Sequence, residues 1–290
     1  MRYSSLGQFI DRGKAALAKG PVALIFAEDG VELDSTVQHH RRLGFKDILL
    51  CADPDLPVAP DLEEGLHRIA INPHADNVLP DTVNALIAAT PPAIWMYYCY
   101  NAEYLFFPFC ETRTIRDLLT FQTEERRDAM LTYVIDLYAG DLNRNPNAVC
   151  RDEALLDRSG YYALGRKDPE KEWEQKERQL DFYGGLRWRF EEHVTWTKRR
   201  IDRISLFKTA PGLKLRGDHT FSIEEYNTYA CPWHNNLTAA ICSFRTAKAL
   251  RTNPGSRFDI HSFKWRGSEP FRWHSQQLLD LGLMEPGQWF

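Results

Sequence analysis

The chain has 290 residues, 43% of them apolar, which is material for one large domain or two small ones with an ample core. A formal net charge of -4 supplies no overall basic field, which argues against a general nucleic-acid binder even though the stretch from Arg187 to Lys214 is locally basic. Six scattered cysteines (Cys51, Cys99, Cys110, Cys150, Cys231 and Cys242) form no CxxC pair, so neither a zinc site nor a disulfide framework is signalled and a reducing cytoplasm is expected.

In chain order, the opening MRYSSLGQFIDRGKAALAKG (1–20) lacks the long apolar core of a signal peptide. Its apolar positions, Leu6, Phe9, Ile10, Ala15 and Leu17, suit a short amphipathic helix. PVALIFA (21–27) is a near-continuous apolar run, which predicts a strand buried on both faces. VELDSTVQHHRRLGF predicts a helix closed at Gly44. KDILLCAD reads as a second buried strand, broken by the turn-rich DPDLPVAPD, and GLHRIAINP as a third. LPDTVNALIAAT reads as a helix with Pro80 near its start, and AIWMYYCYNAEYLF as one further strand.

That order, β-α-β-β-α-β, predicts an α/β domain with a largely parallel sheet. RTIRDLLTFQTEERRDAMLTYVIDLYAGD reads as two helices with Thr123 as a candidate N-cap. RKDPEKEWEQKERQLDFY reads as an exposed helix or a mobile excursion, and the region from YGGLRWRF onward is mixed and dense in Trp, His and Arg. No window approaches the roughly 20 apolar residues of a membrane-spanning helix. The expectation is a soluble protein, at most peripheral to the inner face of a membrane.

Ligands of parallel sheets bind beyond the carboxyl ends of the strands. That topology would bring Glu28 and Asp29, Asp53 and Asp55, and Glu103 to one edge. AEDGVEL, after the first strand, is neither GxGxxG nor GxxxxGK[ST], which disfavours the usual dinucleotide and P-loop enzymes. Arg187 and Arg189 alternate with Trp188 and Phe190. This fits a half-exposed strand with its aromatics inward, or two guanidinium groups turned together toward a diphosphate. His39 and His40 adjoin on a helix, point apart and make no metal pair. His261 and His274, with Trp265 and Trp273, offer either a sugar-stacking edge or an ordinary closing core. No GxSxG is present, and covalent hydrolase chemistry has no other support.

WMYYCYNAEYLFFP (95–108) resembles the strand of family-2-like glycosyltransferases of the GT-A fold that reads W, a hydrophobic run, D-x-D-E-F-L, then proline. Setting EYL on E-F-L puts Tyr100 and Ala102 on the two aspartates, with Asn101 between them. Five further segments resemble that family in the same order. ALIFAEDG resembles the opening strand that ends in K-N-E in the family, with Glu28 on its glutamate. QHHRRLGFKDILLCAD carries His40 and Arg41 on its H-R and leads to Asp53. YGGLRWRF gives Arg187 and Arg189 on a G-G-x-R-x-R pattern, RIDRISLFKTAPGLKLRGDHTF places His219 on a histidine, and HSQQLLDLGLM resembles the closing segment. The matches span roughly residues 20 to 290.

The resemblance implies an α/β, GT-A-like, Rossmann-related fold whose largely parallel sheet is flanked by helices, with a mixed C-terminal extension. Residues 1–20 would form an N-terminal helix and 21–290 one domain, with a nucleotide-binding half (21–120) and an acceptor half (121–290). The implied activity moves a sugar from a nucleotide-sugar donor to a glycan or lipid-linked acceptor, as in polysaccharide biosynthesis, with no nucleic-acid partner. Glu103 and His219 would be catalytic, and Glu28, Asp53, Asn101, Arg187 and Arg189 would bind the donor. His40 and Arg245 would contact acceptor or phosphate.

In that family the D-x-D carboxylates hold Mg²⁺ or Mn²⁺. Tyr100 and Ala102 at those positions disfavour either ion, so no cofactor is expected with certainty. A second departure lies in AAICSFRTAK, where Ser243 and Arg245 stand at a family histidine and lysine. Three alternatives follow: a metal-independent transferase, an inactive homologue that binds nucleotide, glycan or partner, or a misaligned strand whose true metal acids lie in AEDG or CADPD.

Overall fold

The computed structural model describes residues 1–230 and 235–289. Its elements in chain order are β1 (Arg2–Tyr3), α1 (Leu6–Arg12), β2 (Val22–Ala27), α2 (Leu33–Arg42), β3 (Asp47–Ala52), β4 (Leu66–Ala70), α3 (Val78–Ala89) and β5 (Trp95–Tyr100). There follow β6 (Glu103–Phe106), α4 (Ile115–Glu124), β7 (Ala129–Ala139), β8 (Ala154–Asp157), β9 (Tyr162–Asp168) and β10 (Glu174–Tyr183). The last are α5 (Gly185–Arg189), β11 (Asp202–Lys208), β12 (Ala239–Ser243), α6 (Arg245–Thr252), β13 (Ser268–Pro270) and α7 (Ser275–Asp280). Together they make a mixed α/β protein with a large, mostly parallel sheet flanked by helices.

The chain divides into two compact units, each assembled from three stretches. Unit 1 comprises Met1–Tyr104, Thr112–Met130 and Ile204–Asn227, and unit 2 comprises Leu105–Glu111, Leu131–Arg203 and Thr228–Phe290. In unit 1 the strands run β1-β4-β3-β2-β5-β11. All pair in parallel except β11, which lies antiparallel to β5 with Leu206 opposite Tyr97. Every residue of β2 is buried, as is all of β3 beyond Asp47, because helices cover both faces of a parallel sheet. The chain leaves β2 toward β3 and β4 on one side and returns to β5 on the other. The order therefore reverses between β2 and β5, which is the switch point of a doubly wound sheet. α2 ends near its expected cap: Leu43 closes it and Gly44 follows at φ 100°, where a side chain would be strained.

In unit 2, β7 pairs in parallel with β12 (Asp136 opposite Ser243) and antiparallel with β8, and β13 lines up antiparallel on β8. A core of Tyr138, Leu142, Leu186, Leu250, Ile260 and Phe263 packs beside them.

Four elements differ from the sequence expectation. The single strand expected through AIWMYYCYNAEYLF is two, because Ala102 at φ 58° turns the chain between β5 and β6. Only one of the two helices expected after Arg113 exists, and its N-cap is Thr114 with a reciprocal bond to Asp117, not Thr123. The other is β7, whose β-branched and aromatic residues are buried along nearly its whole length. RKDPEKEWEQKERQLDFY is neither helix nor excursion but the antiparallel ribbon of β9 and β10, paired from Tyr162–Tyr183 to Asp168–Glu174. Arg187 and Arg189 lie on the short helix α5, not on a strand, so Trp188 does not turn inward and is 41% exposed.

Of the cysteines, Cys51, Cys99 and Cys242 are buried free thiols, Cys110 and Cys150 are half-buried free thiols, and Cys231 lies outside the described residues. Among the described residues no helix is long and apolar enough to cross a membrane.

Candidate functional site

The candidate residues fall into two sets. In unit 1, Glu28 follows β2 and Asn101 follows β5, so both stand at the carboxyl ends of the strands that flank the switch point. Asn101 is fully buried, and its amide is used on both sides. Its Oδ1 accepts the Glu28 backbone N–H at 3.0 Å, while its Nδ2 donates to Asp29 Oδ1 at 2.7 Å and to the Val31 carbonyl at 2.9 Å. Asn101 thereby fixes the β2–α2 loop, the segment that in such sheets approaches a nucleotide.

Glu103 is fully buried and turns back into the fold, accepting the Tyr100 N–H at 2.8 Å. Its charge also reaches His40, which is fully buried on α2. His40 Nδ1 bonds the Thr36 carbonyl at 2.8 Å, its Nε2 faces Cys99 Sγ at 3.9 Å, and its ring stacks on Tyr97 at 5.2 Å. A carbonyl accepts only, so Nδ1 carries the proton. Burial pushes the imidazole pKa down to about 4, against the opposing pull of the Thr36 carbonyl and the Glu103 charge. The histidine is neutral at pH 7.

His219 sits in a turn at φ 65°, with its ring 5.9 Å from Tyr98 and Nδ1 3.1 Å from the Tyr98 hydroxyl. Asp53 lies exposed on the turn after β3, its Oδ1 accepting from Asp55 N at 2.9 Å. Nearby groups that the sequence did not single out also converge. Tyr104 OH stands 2.8 Å from Ser35 Oγ and donates to Glu32 Oε2 at 3.2 Å, and Thr36 Oγ1 accepts the Ala102 N–H at 2.9 Å. Tyr104 lies in the quoted aromatic stretch, but nothing local ties it to Glu32.

A divalent ion of the Mg²⁺ or Mn²⁺ type needs several hard oxygen ligands. The stretch that the resemblance would give it offers the phenol of Tyr100, the methyl of Ala102, an Asn101 amide already engaged with Glu28 and Asp29, and an inward-turned Glu103. This donor set does not fit such an ion. Nor do any three His, Cys, Asp or Glu side chains among the described residues group to hold a metal.

The second set lies in unit 2. Arg187 Nη1 donates to the Arg200 carbonyl at 2.6 Å and its Nε lies 3.2 Å from Thr246 Oγ1 and 3.9 Å from Asp136 Oδ1. Arg189 donates through Nε to Asp157 Oδ2 at 2.8 Å and through Nη2 to the Phe263 carbonyl at 2.7 Å. Arg245 begins α6, and its backbone N–H bonds Ser243 Oγ at 3.2 Å.

The anchors of these arginines escaped the sequence reading. Asp136 is buried in β7 and accepts the Leu186 N–H at 2.9 Å. Burial raises its pKa, opposed by the Arg187 charge, Thr246 and the Leu186 N–H. The double glycine makes this possible: a Cβ on Gly184 would stand 2.2 Å from Tyr161 Cδ1, and one on Gly185 2.8 Å from Asp136 Oδ2. A lone acid within the apolar run MLTYVIDLYA was the available signal.

The strand order defines a Rossmann-like α/β protein. No protein-family model matches the chain, and no curated protein matches its sequence. A solved structure of CMP:2-keto-3-deoxy-manno-octonic acid synthetase complexed with CTP is similar over 92% of this chain and 88% of that one, at 10% identity and a TM-score of 0.27. A likeness so loose carries no argument about activity.

Proposed function

We propose that the protein is a glycosyltransferase-like protein that binds a nucleotide-sugar donor at the switch point of unit 1 without a resident metal, for transfer to a glycan or lipid-linked acceptor. The observation that carries this reading is the reversal of strand order between β2 and β5, with Glu28, Asp29 and Asn101 gathered at those two strand ends. Asp53, exposed after the neighbouring strand, is the nucleoside contact in this reading, and Glu28 lies toward the phosphates. Asn101 and Glu103 are positioning residues that hold the loop and the β5–β6 turn. Such a transfer has to stabilise a leaving diphosphate and remove a proton from the acceptor hydroxyl, and His219 is the candidate for the proton.

One observation favours a second reading, an inactive homologue that still binds. Glu103 is fully buried against the Tyr100 N–H, and the Asn101 amide is occupied within the loop. Calorimetric titration with UDP and GDP, with and without Mn²⁺, tests both. Binding that ignores Mn²⁺, followed by release of sugar from the matching donor, is the expected result. Binding without turnover supports the inactive homologue. No heat with either nucleotide would sink the donor site altogether.

A further inference from the structure

The ribbon of β9 and β10 in unit 2 forms a small sheet of its own, and its two edges differ. On the β10 side, the Ile201 N–H donates to the Phe182 carbonyl at 2.9 Å and the Tyr229 N–H to the Arg178 carbonyl at 2.7 Å. On the β9 side, no hydrogen bond among the described residues reaches the backbone of residues 162–167 from anywhere but β10. A two-stranded ribbon alone is marginal in water, and an open strand edge is a template for a further strand.

The open edge is held firmly at its base. Arg166 donates through Nε to Asp181 Oδ1 at 2.7 Å and through Nη2 to Asp202 Oδ2 at 2.8 Å, and Arg200 joins both carboxylates. Tyr162 stacks on Tyr183 with ring centroids 5.3 Å apart, and Tyr183 on Trp196 at 5.7 Å. Even so, Tyr162 and Leu164 stay 43% and 52% exposed, and Ala163 between them is exposed as well. Edges are ordinarily protected by proline or by charges along their length. β9 has no proline, Arg166 is drawn back onto Asp181 and Asp202, and Asp168 lies 3.9 Å from Lys176 Nζ, which leaves Lys167 as the exposed cation.

The sequence of β9 chooses the occupant. YALGRKD is apolar before Gly165 and charged after it. A twofold axis through Gly165, perpendicular to the sheet, pairs the whole strand antiparallel with a copy of itself. Arg166 then stands opposite the partner's Leu164, Lys167 opposite the partner's Ala163, and Asp168 opposite the partner's Tyr162. No like charges meet, and each apolar half lies against the aliphatic stems of the other's charged half. An axis at Arg166 or at Lys167 would set that cation against itself, and one at Leu164 would shorten the pairing to residues 162–166. Both complementary halves belong to the same strand, which is what an isologous contact requires. We propose that β9 is a dimer interface, at which two copies of this chain join their ribbons into one four-stranded antiparallel sheet.

Sedimentation equilibrium of the full chain between about 1 and 100 µM tests it. The mass should climb from 33.6 kDa toward twice that value and no higher, since a twofold contact closes on itself. Amide exchange at residues 162–168 should slow as the concentration rises. Ala163 faces the partner's Lys167, and the symmetry makes that pair twice. Ala163→Lys should therefore weaken the dimer about tenfold and Ala163→Glu tighten it about threefold, while adding Lys167→Glu to Ala163→Lys restores it. Tightening cannot come from a damaged fold, so Ala163→Glu remains a test even if Ala163→Lys is unstable. One-chain mass at every concentration, growth past two chains, or a dimer that responds alike to Ala163→Lys and Ala163→Glu overturns the assignment. The nucleotide titration bears on the donor site alone, so the two proposals stand or fall separately.

Discussion

Buried neutral His40 makes the stability of the fold depend on pH in a calculable way. In the unfolded chain its imidazole takes a proton near the ordinary value of 6.5, and in the fold only near about 4. Between those values the unfolded chain binds more protons than the folded one. Stability therefore rises with pH across this window, is complete above it, and is lost as the pH falls toward 4. The full separation corresponds to about 3 kcal/mol, of which about 2 kcal/mol is already lost at pH 5. His40→Asn keeps an N–H donor for the Thr36 carbonyl and removes the titration, at the cost of a constant packing loss. Urea unfolding of both chains at pH 7.5 and pH 5, followed by fluorescence and circular dichroism, gives the comparison. The stability gap between wild type and variant should shrink by about 2 kcal/mol on going to pH 5. A gap that stays constant to within about 0.5 kcal/mol would refute the burial argument.

Three other perturbations have expected outcomes. Asn101→Ala removes three hydrogen bonds to the β2–α2 loop and should cost about 2–4 kcal/mol, with faster amide exchange at residues 28–31; unchanged protection there would show that the loop holds itself. Asp157→Asn leaves the half-buried Arg189 without its counter-charge and should cost about 2–3 kcal/mol in urea unfolding, so a loss below about 0.5 kcal/mol would discount the pair. Gly185→Ala combines φ 62° with a clash on Asp136, whereas Gly212→Ala has φ 74° and nothing within 4 Å. The second should cost about 1–2 kcal/mol from backbone strain alone, and the first clearly more. Equal losses would mean that the Asp136 side chain moves aside freely.

The parallel half of the fold was legible because VALIFA and ILLCA are short apolar runs set between cappable helices, an alternation that suits a covered parallel sheet. The same kind of run misled at β7. MLTYVIDLYA has no period to separate a buried strand from a buried helix, and its pairing partner Ala239–Ser243 lies a hundred residues away. The charged ribbon was invisible for a related reason: its strands face solvent, so their charges show no core-facing alternation. At the site, strand-end topology and the resemblance marked Glu103. They could not show that its carboxylate accepts the Tyr100 N–H and faces an imidazole from another element. Arg187 and Arg189 were marked by their alternation with aromatics and by the resemblance, but α5 sends them toward Asp136 and Asp157, which no sequence signal had singled out. The Gly184–Gly185 pair read as part of a pattern; the structure gives it a steric cause in Tyr161 and Asp136.

The strand that finishes the sheet of unit 1 has a consequence for synthesis in the cell. β5 ends at Tyr100, but its antiparallel neighbour β11 does not begin until Asp202. At about 5–20 residues per second, ribosomes would keep WMYYCY without that neighbour for roughly 5–20 seconds. During that interval an aromatic, uncharged strand edge is open to pairing with another nascent chain. Slowing translation between codons 101 and 202 should therefore lower the soluble yield without any change in the finished protein.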